Sequence, residues 1–327
     1  MMGADPEFQE PDILLLVHEA EIRRGFAIKI ESEIRANPRT ADFRLNAAQV
    51  AVILSVPLST LRPRGYLSSG VLSGKLHERL VGLQSLVKHF LNQPLSSKGG
   101  GEPDEQKSLA PGVKRDASEA WKCAKRDGNA CLMIGTGKPW VCHIVPFTWN
   151  NNQANVQKTK EVIWYLQAFF SQDWVLRYSP YLLAERFPGG SDKAWNMLCL
   201  HINNYLWWKS DVRFGFKCLG IRTTTNGRKS VVVLQLNWMP RRAINPAKLM
   251  SLEGQDNDFD KMVECAKSFH QHGSPHSTHD LSGLSIPSGH LIHVQMPNSE
   301  AVHFKAMIDL QWAMIVVAAF CGASRTS

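Results

Sequence analysis

Apolar residues at positions 13, 16, 17, 20, 27, 30 and 34 recur among charges, a spacing that predicts a helix over residues 13–35, stopped by Pro38. Asn46 stands ahead of the run 47–54 and predicts a second helix that ends before Pro57. Residues 58–74 hold prolines, serines and glycines and are expected as a loop. Leu76, Leu80, Leu83, Leu86, Val87, Phe90 and Leu91 then restore helical spacing over 75–91. Residues 1–94 thus form a helical N-terminal unit, and 95–114, with Ser96-Ser97-Lys98-Gly99-Gly100-Gly101, follow as a flexible linker.

Beyond the linker the period changes. Asp116 or Ser118 caps a short helix over 119–126 that closes at Gly128. The apolar runs 130–134 and 140–143 flank Gly135-Thr136-Gly137-Lys138-Pro139 and predict a β-hairpin. Residues 158–170 have helical spacing, while 174–186 fit more than one state. Asn226-Gly227 between the β-prone stretches 213–225 and 229–238 predicts a second hairpin, because a type I′ turn needs two residues with positive φ. The polar stretch 241–287 is expected as a loop. Its histidines 270, 272, 276 and 279 could bind a metal, but no element frames them and a surface loop is the simpler reading. Residues 289–296 alternate like a strand, and 304–320 read as a C-terminal docking helix. The fold class is α+β.

Composition narrows the function classes. With 44% hydrophobic and 20% charged residues the chain is globular. A net charge of +8 suits a polyanion such as DNA or RNA and equally suits an ordinary basic surface. The seven cysteines are scattered and never form CxxC, which argues against a disulfide framework or a zinc ribbon. The opening residues are acidic and polar rather than a secretory leader. The longest apolar segment, 313–321, is about half the roughly 20 residues a bilayer needs and is expected as a buried helix. No membrane association and an intracellular setting, nuclear or cytoplasmic, are the expectation.

Three stretches carry candidate chemistry. Val141-Cys142-His143-Ile144-Val145-Pro146-Phe147 puts an imidazole at a strand exit, three residues before a proline turn. Trp195-Asn196-Met197-Leu198-Cys199-Leu200 follows about fifty residues later, and then Trp207-Trp208 and Arg213-Phe214-Gly215-Phe216-Lys217. With Arg126-Asp127-Gly128-Asn129-Ala130-Cys131-Leu132-Met133-Ile134-Gly135-Thr136 ahead of them, and the tail from Ser288-Gly289-His290 to Leu310-Gln311-Trp312 behind, they resemble, in order, the HNH (His-Me finger, ββα-metal) endonuclease domain common in fungal proteins. The resemblance covers roughly residues 115–325.

That resemblance implies a ββα-metal core within 115–327, with the second hairpin, the 241–287 loop and the terminal strand and helix added to it. It implies His143 as general base, Asn196 as the residue that orients it, and Cys142 as a first metal ligand. The last histidine of the pattern falls on Tyr205, a departure, since a phenol with a pKa of about 10 ligates poorly at neutral pH. His201 lies four residues earlier and is the alternative ligand; a further ligand position falls on Lys209, which cannot ligate as a cation. The implied cofactor is a divalent metal, Mg²⁺ first, with Zn²⁺ or Mn²⁺ as alternatives. Lys209 to Lys229 carries six basic residues and one acidic one, Asp211, a strip that could hold a phosphate backbone or simply face solvent. The implied function is metal-dependent cleavage of nucleic-acid phosphodiesters. A catalytically inactive HNH-fold nucleic-acid or protein interaction module is the alternative, and oligomeric state is left open.

Overall fold

Helix α1 (Val17–Arg35) buries Ala27, Ile30 and Ile34 along one stripe, as its spacing dictates. Helix α2 (Ala47–Ser55) starts at a capping box in which Asn46 and Gln49 satisfy each other's backbone N–H groups. It is buried almost all round, packed among α1, α4 (Ser73–Leu91) and the C-terminal helix. A single turn, α3 (Leu58–Leu61), sits in the stretch expected as a loop. In this computed structural model the described residues are 7–12, 14–70, 73–91, 112–225, 227–240, 244–267 and 279–322. Most of the 95–114 linker therefore lies outside them.

Asp116 caps α5 (Ala117–Arg126) by accepting from the backbone of Ser118 and Glu119. Strand β1 (Trp140–His143) follows, then α6 (Gln153–Ile163) and α7 (Gln172–Leu183), the latter capped by Ser171 and closed by Ala184 in the left-handed region. The ambiguous stretch 174–186 is thus mostly helical. Strand β2 (Met197–Leu200) pairs antiparallel with β1, and α8 (Ile202–Lys209) packs back on β1. The hairpin expected between 130–134 and 140–143 does not form. Residues 131–136 curl into tight turns closed by Gly135 N–H to Cys131 O (2.8 Å) and Cys131 N–H to Thr136 O (2.8 Å), with only Ala130 bridging Gly137. The glycine-rich turn that suggested a hairpin instead closes on itself, and β1 finds its partner far downstream.

The second sheet orders β3 (Phe214–Thr223), β4 (Lys229–Trp238) and β5 (Leu291–Pro297), antiparallel throughout. The β3–β4 hairpin is the one expected, with an irregular register between Cys218 and Gly220. Helix α10 (Asn298–Phe320) lies across this sheet and against α2. A Cβ on Gly215 would come within 2.8 Å of Met239 Cε and 3.1 Å of Ile315 Cγ2, so glycine here permits the close approach of β3 and α10. By length and hydropathy α10 could cross a bilayer, yet 67% of its apolar window is buried inside the protein. Helix α9 (Asp258–Ala266) interrupts the 241–287 loop; Asn257 caps it and Phe259, Met262, Val263 and Ala266 are its buried face. Side chains of α1, α2, α4, α10 and the β3–β5 sheet join one continuous core.

Candidate functional site

His143 is the last residue of β1, opposite Met197. Its exposure is 0%, and its ring stacks at 5.3 Å and 17° on Phe147. Nε2 lies 2.8 Å from Asp192 Oδ1. The other carboxylate oxygen of Asp192 accepts from the backbone N–H of Asp116 at 2.5 Å, which ties the imidazole to the start of α5. Asp192 precedes Asn196 by four residues. One acidic residue in a Gly-Ser turn carries no sequence signal of its own.

Asn196 is also completely buried, but its amide serves the main chain. Oδ1 accepts from Val145 N–H (2.9 Å), and Nδ2 donates to Val145 O (3.0 Å) and Ser191 O (3.1 Å). Its own carbonyl accepts from Ile144 N–H at 2.7 Å. Asn196 thus fixes the chain that leaves β1, while the side-chain contact on the imidazole Nε2 comes from Asp192.

The expected metal ligands each have neighbours of their own. Successive strand residues face opposite sides of a sheet, so Cys142 and His143 diverge; Cys142 Sγ donates to Trp140 O at 3.3 Å. His201 caps α8, with Nδ1 accepting from Asn203 N–H (3.3 Å). Tyr205 is buried on α8, its ring 6.4 Å from that of Trp140. Lys209 is buried as well and donates from Nζ to Ile144 O (2.5 Å), 4.1 Å from the Trp208 ring and 4.9 Å from Phe90. The backbone carbonyl directly after His143 therefore receives an ammonium.

Among the described residues, the cluster of three metal-ligating side chains that forms is a different one: Cys123, Asp127 and Cys199, with ligand atoms within 4.8 Å of one another. Its surroundings suit an internal lock between α5 and β2 better than an ion. The Arg126 guanidinium holds both Asp127 oxygens (2.6 and 3.0 Å) and touches Cys123 Sγ at 3.4 Å. It also donates to Ala194 O and Met197 O, each at 2.8 Å. Asp127 Oδ2 accepts further from Cys199 N–H (2.9 Å). Hydrogen bonding with Cys199 and burial push the Cys123 thiol well above its ordinary range, so it stays protonated. A divalent ion here would have to displace a guanidinium and deprotonate a stabilised thiol.

The basic strip is broken up by the fold. Lys209 points inward, Arg213 pairs with Asp211 at 2.9 Å and Lys217 with Asp12 at 2.5 Å. Arg222, Arg228 and Lys229 remain at the exposed end of the β3–β4 hairpin. Of the clustered histidines, His270, His272 and His276 lie outside the described residues, and His279 forms an isolated bridge with Ser285. No family model, curated protein or solved structure matches this chain.

Proposed function

We propose that this chain is an HNH-like module that binds nucleic acid without hydrolysing it. The observation that carries this reading is His143: a general base must meet water and phosphate, and this imidazole has no exposed surface and holds Asp192. The succession β1, β2, α8 and the ordered sequence motifs support a relation to the ββα-metal fold. Cys142 and His201 bond to backbone groups of their own segments, and Lys209 Nζ donates to Ile144 O beside the strand exit, which weighs against a divalent ion at His143. The net charge of +8 favours a polyanionic partner.

A second reading, metal-dependent hydrolysis, is favoured by the Asp192–His143 contact, since a carboxylate that fixes one imidazole nitrogen is what a general base requires. Incubating the full chain with plasmid and Mg²⁺, Mn²⁺ or Zn²⁺ separates the two. Binding without nicking is expected. Metal-dependent nicking that His143→Ala abolishes would establish hydrolysis instead.

A further inference from the structure

An open groove of about 600 Å³ lies between the loop after α3 and the start of α7, away from His143. Its lining is basic and aromatic. Arg64, Arg79, Tyr66 and Phe170 contribute, and among the described lining residues none is acidic. Arg79 stacks its guanidinium 4.2 Å from the centre of the Tyr66 ring and donates to Tyr66 O at 2.5 Å. Phe170 is backed by Trp174, the rings 4.1 Å apart and 15° from parallel. Ser171 and Gln172 bring the N-terminus of a 12-residue helix to the same groove.

Arg64 is the informative residue. Arg62-Pro63-Arg64-Gly65 closes as a turn, with Gly65 N–H donating to Arg62 O at 2.8 Å. Proline at the second position and a left-handed third position have the signature of a type II turn, whose third residue is normally glycine. Here it is arginine, at φ 69°. The next residue, Gly65, packs against the main chain of α3, where a Cβ would meet Thr60 O at 2.3 Å. The exposed Arg64 side chain makes no ion pair or hydrogen bond among the described residues that would stabilise this conformation. Arg64 thus brings to the groove lining a charge that no described residue engages.

The geometry points to this groove as the seat of one phosphate-bearing nucleotide unit of a single-stranded nucleic acid. Arg64 takes the phosphate, and the Tyr66 and Phe170 rings offer stacking surface to the base. The inference rests on the nucleic-acid reading above and names where that partner sits.

The test is fluorescence anisotropy with a labelled oligothymidylate, with AMP as competitor, on the full chain and two variants. Arg64→Gly removes the guanidinium and suits the turn, so its melting temperature should hold or rise. Its affinity for the oligonucleotide should fall roughly tenfold, the cost of one charge-assisted contact, with a salt dependence shallower by about one counterion. The double variant Arg228→Ala/Lys229→Ala should bind like wild type. Equal binding by wild type and Arg64→Gly, with loss in the hairpin variant, overturns the groove and leaves nucleic-acid binding standing. AMP binding that depends on Arg64, without oligonucleotide binding, keeps the groove as a free-nucleotide site and overturns the module reading. No binding of either ligand overturns both.

Discussion

Removing the Asp192 carboxylate deprives His143 Nε2 and the Asp116 N–H of a shared acceptor inside the protein. Asp192→Ala is therefore expected to destabilise the fold by about 1–3 kcal/mol, the usual cost of leaving buried polar groups unsatisfied. Urea unfolding measures it, and an unchanged midpoint would show that the contact contributes nothing. His89 offers a separate test. Its ring stacks on Trp149 at 5.0 Å. The Thr159 hydroxyl donates to Trp149 O at 2.6 Å, so His89 Nε2–H is the donor to Thr159 Oγ1 at 2.8 Å. Burial, with the nearby charge of Lys158, lowers this imidazole from 6.5 to about 4. The native state thus keeps His89 neutral while the unfolded chain takes up a proton below 6.5. Stability should be full above that value, fall between 6.5 and about 4, and level off below. The loss attributable to His89 is up to roughly 3 kcal/mol. Urea midpoints from pH 7 to 4 should fall less steeply in His89→Gln; parallel slopes would contradict the assignment.

At the scale of elements, the lock between α5 and β2 is the Arg126–Asp127 pair, with the guanidinium reaching Ala194 O and Met197 O across the junction. Arg126→Ala leaves the Asp127 carboxylate buried and uncompensated, which typically costs about 3–5 kcal/mol. Calorimetry should show a large drop in melting temperature; a near-wild-type melt would mean that the pair is dispensable. Much of this architecture was legible. The stripe Ala27, Ile30, Ile34 announced α1, Asn46 announced the cap of α2, and Asn226-Gly227 announced the β3–β4 hairpin. What was not legible is non-local. The partner of β1 lies beyond two intervening helices, and no local pattern records it. Residues 131–136 have hairpin chemistry but spend their backbone bonds on one another. Helix α9 was hidden because its apolar stripe is only nine residues long and sits in a polar stretch. At the site, the motifs single out His143 and Asn196, and the fold brings Asn196 onto Ile144 and Val145 at the exit of β1. Asp192 could not be read from a motif, since its role depends on a fold that brings a turn residue onto an imidazole 49 positions away.

The whole molecule is built around α10, which joins the N-terminal helices to the β3–β5 sheet in one core. The helical unit expected to stand before a linker therefore packs on the same apolar face as the rest of the chain. Within that body the two basic features separate. Three residues of the Lys209–Lys229 strip are buried or paired, whereas Arg64 and Arg79 line an open groove. A row of rings runs from the groove toward the exit of β1: Phe170, Trp174, Tyr178, His303 and Trp195 follow one another at 4.1 to 5.9 Å, and Trp195 adjoins Asn196. On the proposed reading, nucleic acid binds in the groove and no hydrolysis takes place at His143. One experiment bears on that division most directly. Labelled DNA and RNA, single- and double-stranded, are incubated with the full chain and Mg²⁺, Mn²⁺ or Zn²⁺, and each sample is run on a native and a denaturing gel. A retarded band on the first gel and full-length nucleic acid on the second is the expected result; metal-dependent fragments that vanish with His143→Ala would contradict it.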